Sequence, residues 1–257
     1  MTDAILPRLA AQLRGGQPVF AAWIETPAQA SIEALLGAGF DTAVLDMQHG
    51  GFDMARAVDG IAACALGGKP AIARIPVGDF ASASRLLDAG AAAVVAPMIE
   101  TVEQARALVG FTKYPPLGER SWGPGRAKAF SGLGGSDYLT AANGLHLTFA
   151  MIETRAALAA LDGILAVEGI DGVFVGPSDL SIGLSRGAGV DPAASEVDAA
   201  LSRVASQARA VGKIAGLFCF SGAQAKAMAA RGFGLLTIAT DLLLLQRGAR
   251  VELDATR

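Results

Sequence analysis

Residues 145–179, LHLTFAMIETRAALAALDGILAVEGIDGVFVGPSD, contain one complete unit of the fold. A short apolar run at 145–151 leads into Glu153-Thr154, and an amphipathic stretch fills 154–168. A second apolar run at 170–175 ends in Gly176-Pro177-Ser178-Asp179. Short branched runs joined by a segment of helical length read as strand, helix, strand, and a crossover of that kind places the two strands parallel.

Working outward, the same alternation covers the chain. Further apolar runs at 17–23, 42–46, 70–75, 92–97, 213–218 and 234–239 bring the count of predicted strands to eight. Helix-like stretches fall near 28–38, 53–66, 79–88, 101–110, 195–211, 221–231 and 240–248. Eight such units in 257 residues match an α/β fold of the (β/α)8 TIM-type barrel, as a single domain over 1–257. A doubly wound open sheet is the structural rival. It lacks its usual support, because the first strand runs into Ile24-Glu25-Thr26-Pro27 where a dinucleotide-binding turn would be rich in glycine. The one long connection is 112–136, and long loops inside compact domains are mostly functional or mobile. Gly132-Leu133-Gly134-Gly135 reads as flexible loop.

Composition narrows the function. Hydrophobic residues make up 52% of the chain but aromatic residues only 6%, so the apolar content is small and branched, as buried parallel strands require. The net charge of −3 gives no basic surface for nucleic acid. No apolar run approaches the roughly 20 residues of a membrane span, and residues 1–15 do not resemble a signal peptide. Cys64 and Cys219 are too few for a disulfide scaffold and read as buried thiols, so a cytoplasmic protein is expected.

Barrel enzymes carry their chemistry at the C-terminal ends of the strands. There the sequence places Asp46-Met47-Gln48-His49 after the second strand, Arg74 closing the third, Glu153 after the fifth and Asp179 after the sixth. Glu153 and Asp179 suit a hard divalent ion, which takes carboxylates, water and substrate oxygens; the alternative is that each caps a helix. Arg74 ends an apolar strand, where its fork could meet a carboxylate or an enolate oxygen, or form a structural salt bridge with Asp46 or Glu153. His49 could move protons, or could be a surface loop residue. Gly176 and Ser178 offer backbone N–H groups to an anion, around Pro177, which has no donor. His146 opens the fifth strand at the opposite end and reads as structural.

At these residues the sequence resembles the HpcH/HpaI aldolase family, the metal-dependent class II pyruvate aldolases. The resembling stretches are Leu45-Asp46-Met47-Gln48-His49, Ala73-Arg74-Ile75-Pro76, Leu86-Leu87-Asp88-Ala89-Gly90-Ala91 and Ala96-Pro97-Met98. They continue with Tyr114-Pro115-Pro116-Leu117-Gly118-Glu119-Arg120, Met151-Ile152-Glu153-Thr154 and Val173-Phe174-Val175-Gly176-Pro177-Ser178-Asp179-Leu180-Ser181. The resemblance implies a barrel of the phosphoenolpyruvate/pyruvate type and a divalent metal on Glu153 and Asp179, Mg2+ or Mn2+ foremost, with Co2+ or Zn2+ as further options. It implies that Arg74 steadies the enolate oxygen of a bound 2-oxo acid and that Gly176, Pro177 and Ser178 border the substrate. His49 would handle protons with an acid from a neighbouring subunit, at the position of Asp88, while Asp46 supports His49 or a metal-bound water. A homo-hexamer, a trimer of dimers with the last helix exchanged, is also implied. Gln48 and Met151 depart from the family's usual Glu and Gln, which bears on second-shell hydrogen bonding and substrate range.

The expected reaction is reversible addition of pyruvate, or a related 2-oxo acid such as hydroxypyruvate, to an aldehyde, giving a 4-hydroxy-2-oxo acid. A CoA-ester lyase of the citrate-lyase type is the alternative on the same barrel, though the chain lacks a basic run for CoA phosphates. A Schiff-base aldolase would need a lysine at the C-terminal end of a strand, whereas Lys69 precedes the third strand and Lys213 opens the seventh.

Overall fold

The computed structural model describes residues 4–257. Its strands are β1 (Val19–Ile24), β2 (Thr42–Asp46), β3 (Ala71–Arg74), β4 (Ala93–Ala96), β5 (Leu147–Ile152), β6 (Gly172–Val175), β7 (Ile214–Cys219) and β8 (Leu235–Thr240). They form a closed parallel barrel in sequence order, β8 pairing back onto β1. Every strand lies where the apolar runs place it.

The two-residue period of a strand sorts the apolar side chains into two packed groups. Ala22, Leu45, Ala73, Val94, Ile152, Val173 and Leu217 face outward and pack with the helices. Val19, Ala21, Trp23, Val44, Ile72, Val95, Phe149, Met151 and Phe174 face inward and fill the barrel. Large rings fit only because neighbours are small. A Cβ on Gly216 of β7 would lie 2.5 Å from the Phe174 ring. Trp23 caps this filling, with ring centroids 5.8 Å from Phe174 and 5.4 Å from Phe218. The aromatic layer is the floor of whatever site the rim builds.

The sequence did not reveal a helix at Leu6–Arg14. Its Leu6, Leu9 and Leu13 join the inward group and close the N-terminal end of the barrel. Two more helices, Gly125–Ser131 and Gly135–Leu145, occupy much of what reads as a loop from 112 to 136 and beyond. The glycines that suggested flexibility are terminators: Gly132 ends the first with φ +69 and Gly134 begins the second. A short helix, Pro177–Leu184, follows β6. The stretch 154–168 divides into Arg155–Ala159 and Leu161–Leu165. The last helix, Asp241–Asp254, runs longer than expected and leaves Leu245 and Val251 exposed.

Both cysteines are buried and free, and burial pushes each thiol up to about 12. No helix among the described residues is long and apolar enough to cross a membrane.

Because Leu9 is 1% exposed in the barrel's closed end, Leu9→Ala is expected to lower the unfolding free energy by about 2–5 kcal/mol in urea titrations. An unchanged transition would mean that this helix does not complete the core.

Candidate active site

The centre of the C-terminal rim is an ion pair. Asp46, the last residue of β2, lies in register with Arg74, the last of β3, and both point inward by the same alternation that fills the barrel. Arg74 grips the carboxylate with two donors, Nε to Oδ1 at 2.8 Å and Nη2 to Oδ2 at 2.6 Å. Trp23 serves both partners. Its indole N–H donates to Asp46 Oδ2 at 3.2 Å, and its ring lies under the guanidinium at 4.7 Å. Burial pushes the Asp46 carboxyl up, but the bonds and charge of Arg74, with the backbone N–H groups of Gln48 and His49, outweigh it and hold the group below its ordinary value.

Asp46 therefore does two jobs. It fixes the Arg74 fork by Nε and Nη2, and it anchors the next loop through Gln48 N at 3.0 Å and His49 N at 3.3 Å. The salt bridge weighed as an alternative for Arg74 is present, and it leaves Nη1 as the guanidinium nitrogen not spent on Asp46. The His49 side chain is exposed at this rim. Gln48 Oε1, by contrast, is buried with no hydrogen-bond partner.

Glu153 follows β5 and is 1% exposed. Its Oε1 accepts a hydrogen bond of 2.7 Å from Met98 N, after β4, where the backbone takes the left-handed conformation at φ +56. A non-glycine residue in that region carries strain, which marks the turn as one the surroundings enforce. Its other oxygen, Oε2, is buried and has no partner. Burial pushes the carboxyl up to about 7; the Asp179 charge raises it too, while the Met98 N–H and Arg74 lower it. Gly176 makes the close approach to this acid, for a Cβ there would stand 2.6 Å from Oε2. Asp179 lies exposed in the first turn of Pro177–Leu184, where Ser178 N–H is among the amides with no carbonyl inside the helix. A buried carboxylate oxygen without a donor, facing a second carboxylate, fits a divalent cation and is otherwise costly. No cluster of three or more His, Cys, Asp or Glu suited to a metal occurs among the described residues.

Asp88 does not join this rim. It ends the helix Phe80–Asp88, just before β4, and so lies at the N-terminal end of the barrel. There Arg120 Nη2 donates to its Oδ1 at 2.6 Å, and Arg120 stacks over Tyr114 at 4.7 Å. His146 is also at that end, fully enclosed. Its Nδ1 must donate to Ala91 O, leaving Nε2 to accept from Tyr138 OH at 2.7 Å, a structural role as expected.

Sequence reasoning missed several groups. Trp23 entered only as the last residue of the apolar run 17–23, and Met98 carried no ionisable signal. Glu25 and Asp241, after β1 and β8, sit at the same rim. Asp241 accepts from Glu25 N at 2.9 Å and Thr26 N at 3.1 Å. Burial raises the Glu25 carboxyl, as do the charges of Asp46 and Asp241; a Thr240 hydrogen bond and Arg74 pull it back. Position after a strand was the signal available for both. Lys113 was missed as well, but it lies at the opposite end, its ammonium donating to Asn143 O, His146 O and Asp171.

The family model described as HpcH/HpaI aldolase/citrate lyase matches residues 20–247. The chain is 41% identical over 235 residues to a hydroxypyruvate/pyruvate aldolase of Rhizorhabdus wittichii, covering 91% of this chain and 92% of the relative. It is 35% identical over 237 residues to a 4-hydroxy-2-oxo-heptane-1,7-dioate aldolase of Salmonella dublin, covering 92% and 89%. Among solved structures, an HpcH/HpaI aldolase/citrate lyase family protein from Burkholderia cenocepacia superposes with a TM-score of 0.87 at 30% identity, covering 98% and 99%.

Asp46→Asn leaves Arg74 buried without its counter-charge and is expected to cost about 3–5 kcal/mol. A depressed folded-state value means that the pair's contribution is present above the ordinary carboxylate range and is lost as pH falls through the lowered one. Wild-type stability should therefore drop more steeply than that of the variant below about pH 4. Parallel acid limbs in urea titrations would show that the pair does not stabilise the fold.

Proposed function

The chain belongs to the HpcH/HpaI aldolase/citrate lyase family, and from that premise we propose that it is a carbon–carbon lyase joining pyruvate or hydroxypyruvate to an aldehyde, and cleaving the 4-hydroxy-2-oxo acid product. The observation that carries this reading is the buried, partnerless Oε2 of Glu153 opposite Asp179, at the rim where Arg74 and His49 also end.

Glu153 and Asp179 would hold a divalent ion, Mg2+ or Mn2+ first. Once bound, the ion supplies Lewis acidity that acidifies the C–H beside the keto group. Everything else falls to the protein's own side chains. Arg74, held by Asp46 and Trp23, turns Nη1 toward the oxygen that gains charge when that proton leaves. Its fork is fixed beforehand, so little reorganisation accompanies the charge. His49, exposed at the rim, takes the proton from the donor carbon and returns one to the new alkoxide. The amides of Gly176 and Ser178 suit the substrate carboxylate at a helix start. Within one chain His49 lacks an acid partner of the kind the resemblance implies, since Asp88 stands at the far end of the barrel. Supply of Asp88 from a second subunit, as in a hexamer built of dimers with the last helix exchanged, accounts for that placement and for the exposed leucines of Asp241–Asp254. Two buried free thiols support a reducing cytoplasm as its compartment.

The test is pyruvate release from a 4-hydroxy-2-oxo acid by EDTA-stripped protein, with and without Mg2+ or Mn2+. Added metal is expected to restore turnover, and Glu153→Ala to reduce it by about a thousandfold or more. No turnover from correctly folded protein with either metal would favour a CoA-ester lyase instead. For the shared acid, His49→Ala and Asp88→Ala should each be nearly inactive alone, and subunit exchange between them should recover part of the activity. Mixtures as inactive as their parents would place the acid elsewhere.

A further inference from the structure

Glu25 is an acid at the catalytic rim, after β1, to which the proposed reaction gives no role. It follows Trp23 on the inward-facing register of β1, so its side chain rises from the aromatic floor toward the mouth. Its backbone is held firmly: Asp241 Oδ1 accepts its N–H at 2.9 Å, and its own carbonyl accepts from Gly51 N at 2.8 Å. The carboxyl takes a hydrogen bond from the Thr240 side chain. Beyond that, its charged surroundings are two acids, Asp46 and Asp241, and one cation, Arg74, whose Nε and Nη2 are already committed to Asp46. Glu25 is thus a fixed acceptor, half-buried and short of donors, in the arc of the rim formed by β8, β1 and β2.

The barrel order gives that position its meaning. Glu153 and Asp179 follow β5 and β6, across the barrel from β1. In the aldolase reading, a 2-oxo acid held by those two acids would have the arc that carries Glu25 across the mouth from it. A carboxylate with Thr240 as its one side-chain donor has lone pairs left for a substrate hydroxyl, and a methyl in the same place offers them nothing.

We infer that Glu25 is a specificity-determining residue that accepts a hydrogen bond from a substrate hydroxyl adjacent to the bond being made, selecting hydroxylated over plain substrates. This rests on the aldolase reading. The hydroxyl has two sources, the third carbon of hydroxypyruvate or the second carbon of a hydroxyaldehyde.

The experiment measures kcat/KM in the synthetic direction, with metal, for wild type, Glu25→Gln and Glu25→Ala. One arm compares hydroxypyruvate with pyruvate at a fixed aldehyde; the other compares glycolaldehyde with propanal at a fixed donor. Glu25→Ala is expected to lower the preference for the hydroxylated member by about tenfold or more in one arm, leaving its plain partner within about threefold. Glu25→Gln, which keeps an acceptor oxygen, should recover part of the preference. The arm that responds identifies the source. Equal losses for all substrates would make Glu25 a structural residue and overturn the inference, as would unchanged ratios in both arms. Wild type inactive on every pair would instead fail the aldolase reading itself.

Discussion

The Asp46–Arg74 pair is the interaction on which the catalytic rim depends. A guanidinium at the end of an apolar strand is costly to bury, and a carboxylate opposite it resolves that cost only if geometry is good and remaining valences are met. Here both conditions hold: two donors reach two oxygens, and Trp23 donates from below while stacking on the cation. The same carboxylate then reaches two backbone amides of the loop bearing His49. Position of the loop bearing His49 and orientation of the Arg74 guanidinium thus rest on one buried side chain.

Around that pair the barrel separates two kinds of acid. Asp46 is matched by a cation whose bonds and charge outweigh the cost of burial, so it stays charged. Glu153 is given one backbone donor and is otherwise buried near another carboxylate, so burial raises it to about 7. An acid so placed favours whatever relieves its charge, a proton or a small cation. Strain at Met98 supplies the single donor, which fixes one oxygen and leaves the other free.

The barrel was legible because each strand is a short branched run between amphipathic stretches, and closure follows from the number of such units. The rim residues were legible for the same reason, since the ends of those runs locate the site. What escaped the sequence has identifiable causes. The helix Leu6–Arg14 precedes the first strand, outside the repeating unit, and Pro7 opens it. Gly132 and Gly134 read as flexibility when their permissive backbone serves to end and start helices. Trp23 did not stand out within the apolar run 17–23, because its alternation is the same as that of its neighbours; only its partner Asp46 reveals the indole N–H as a tether. Asp88 was assigned by resemblance, and its intrachain neighbour Arg120 could not have been inferred from spacing of 32 residues.

Lys113 has a bearing on how this scaffold could be remade. It is the most enclosed lysine amine of the described residues, and burial lowers its proton affinity, which is how lysines become nucleophiles. Yet its nitrogen is surrounded by two carbonyls and a carboxylate at the end of the barrel away from the rim. The amine best prepared electronically is the one sterically and topologically out of play. An engineer seeking imine chemistry in this barrel would have to install a new lysine among the strand ends, and could leave the old one as the bolt that closes the base.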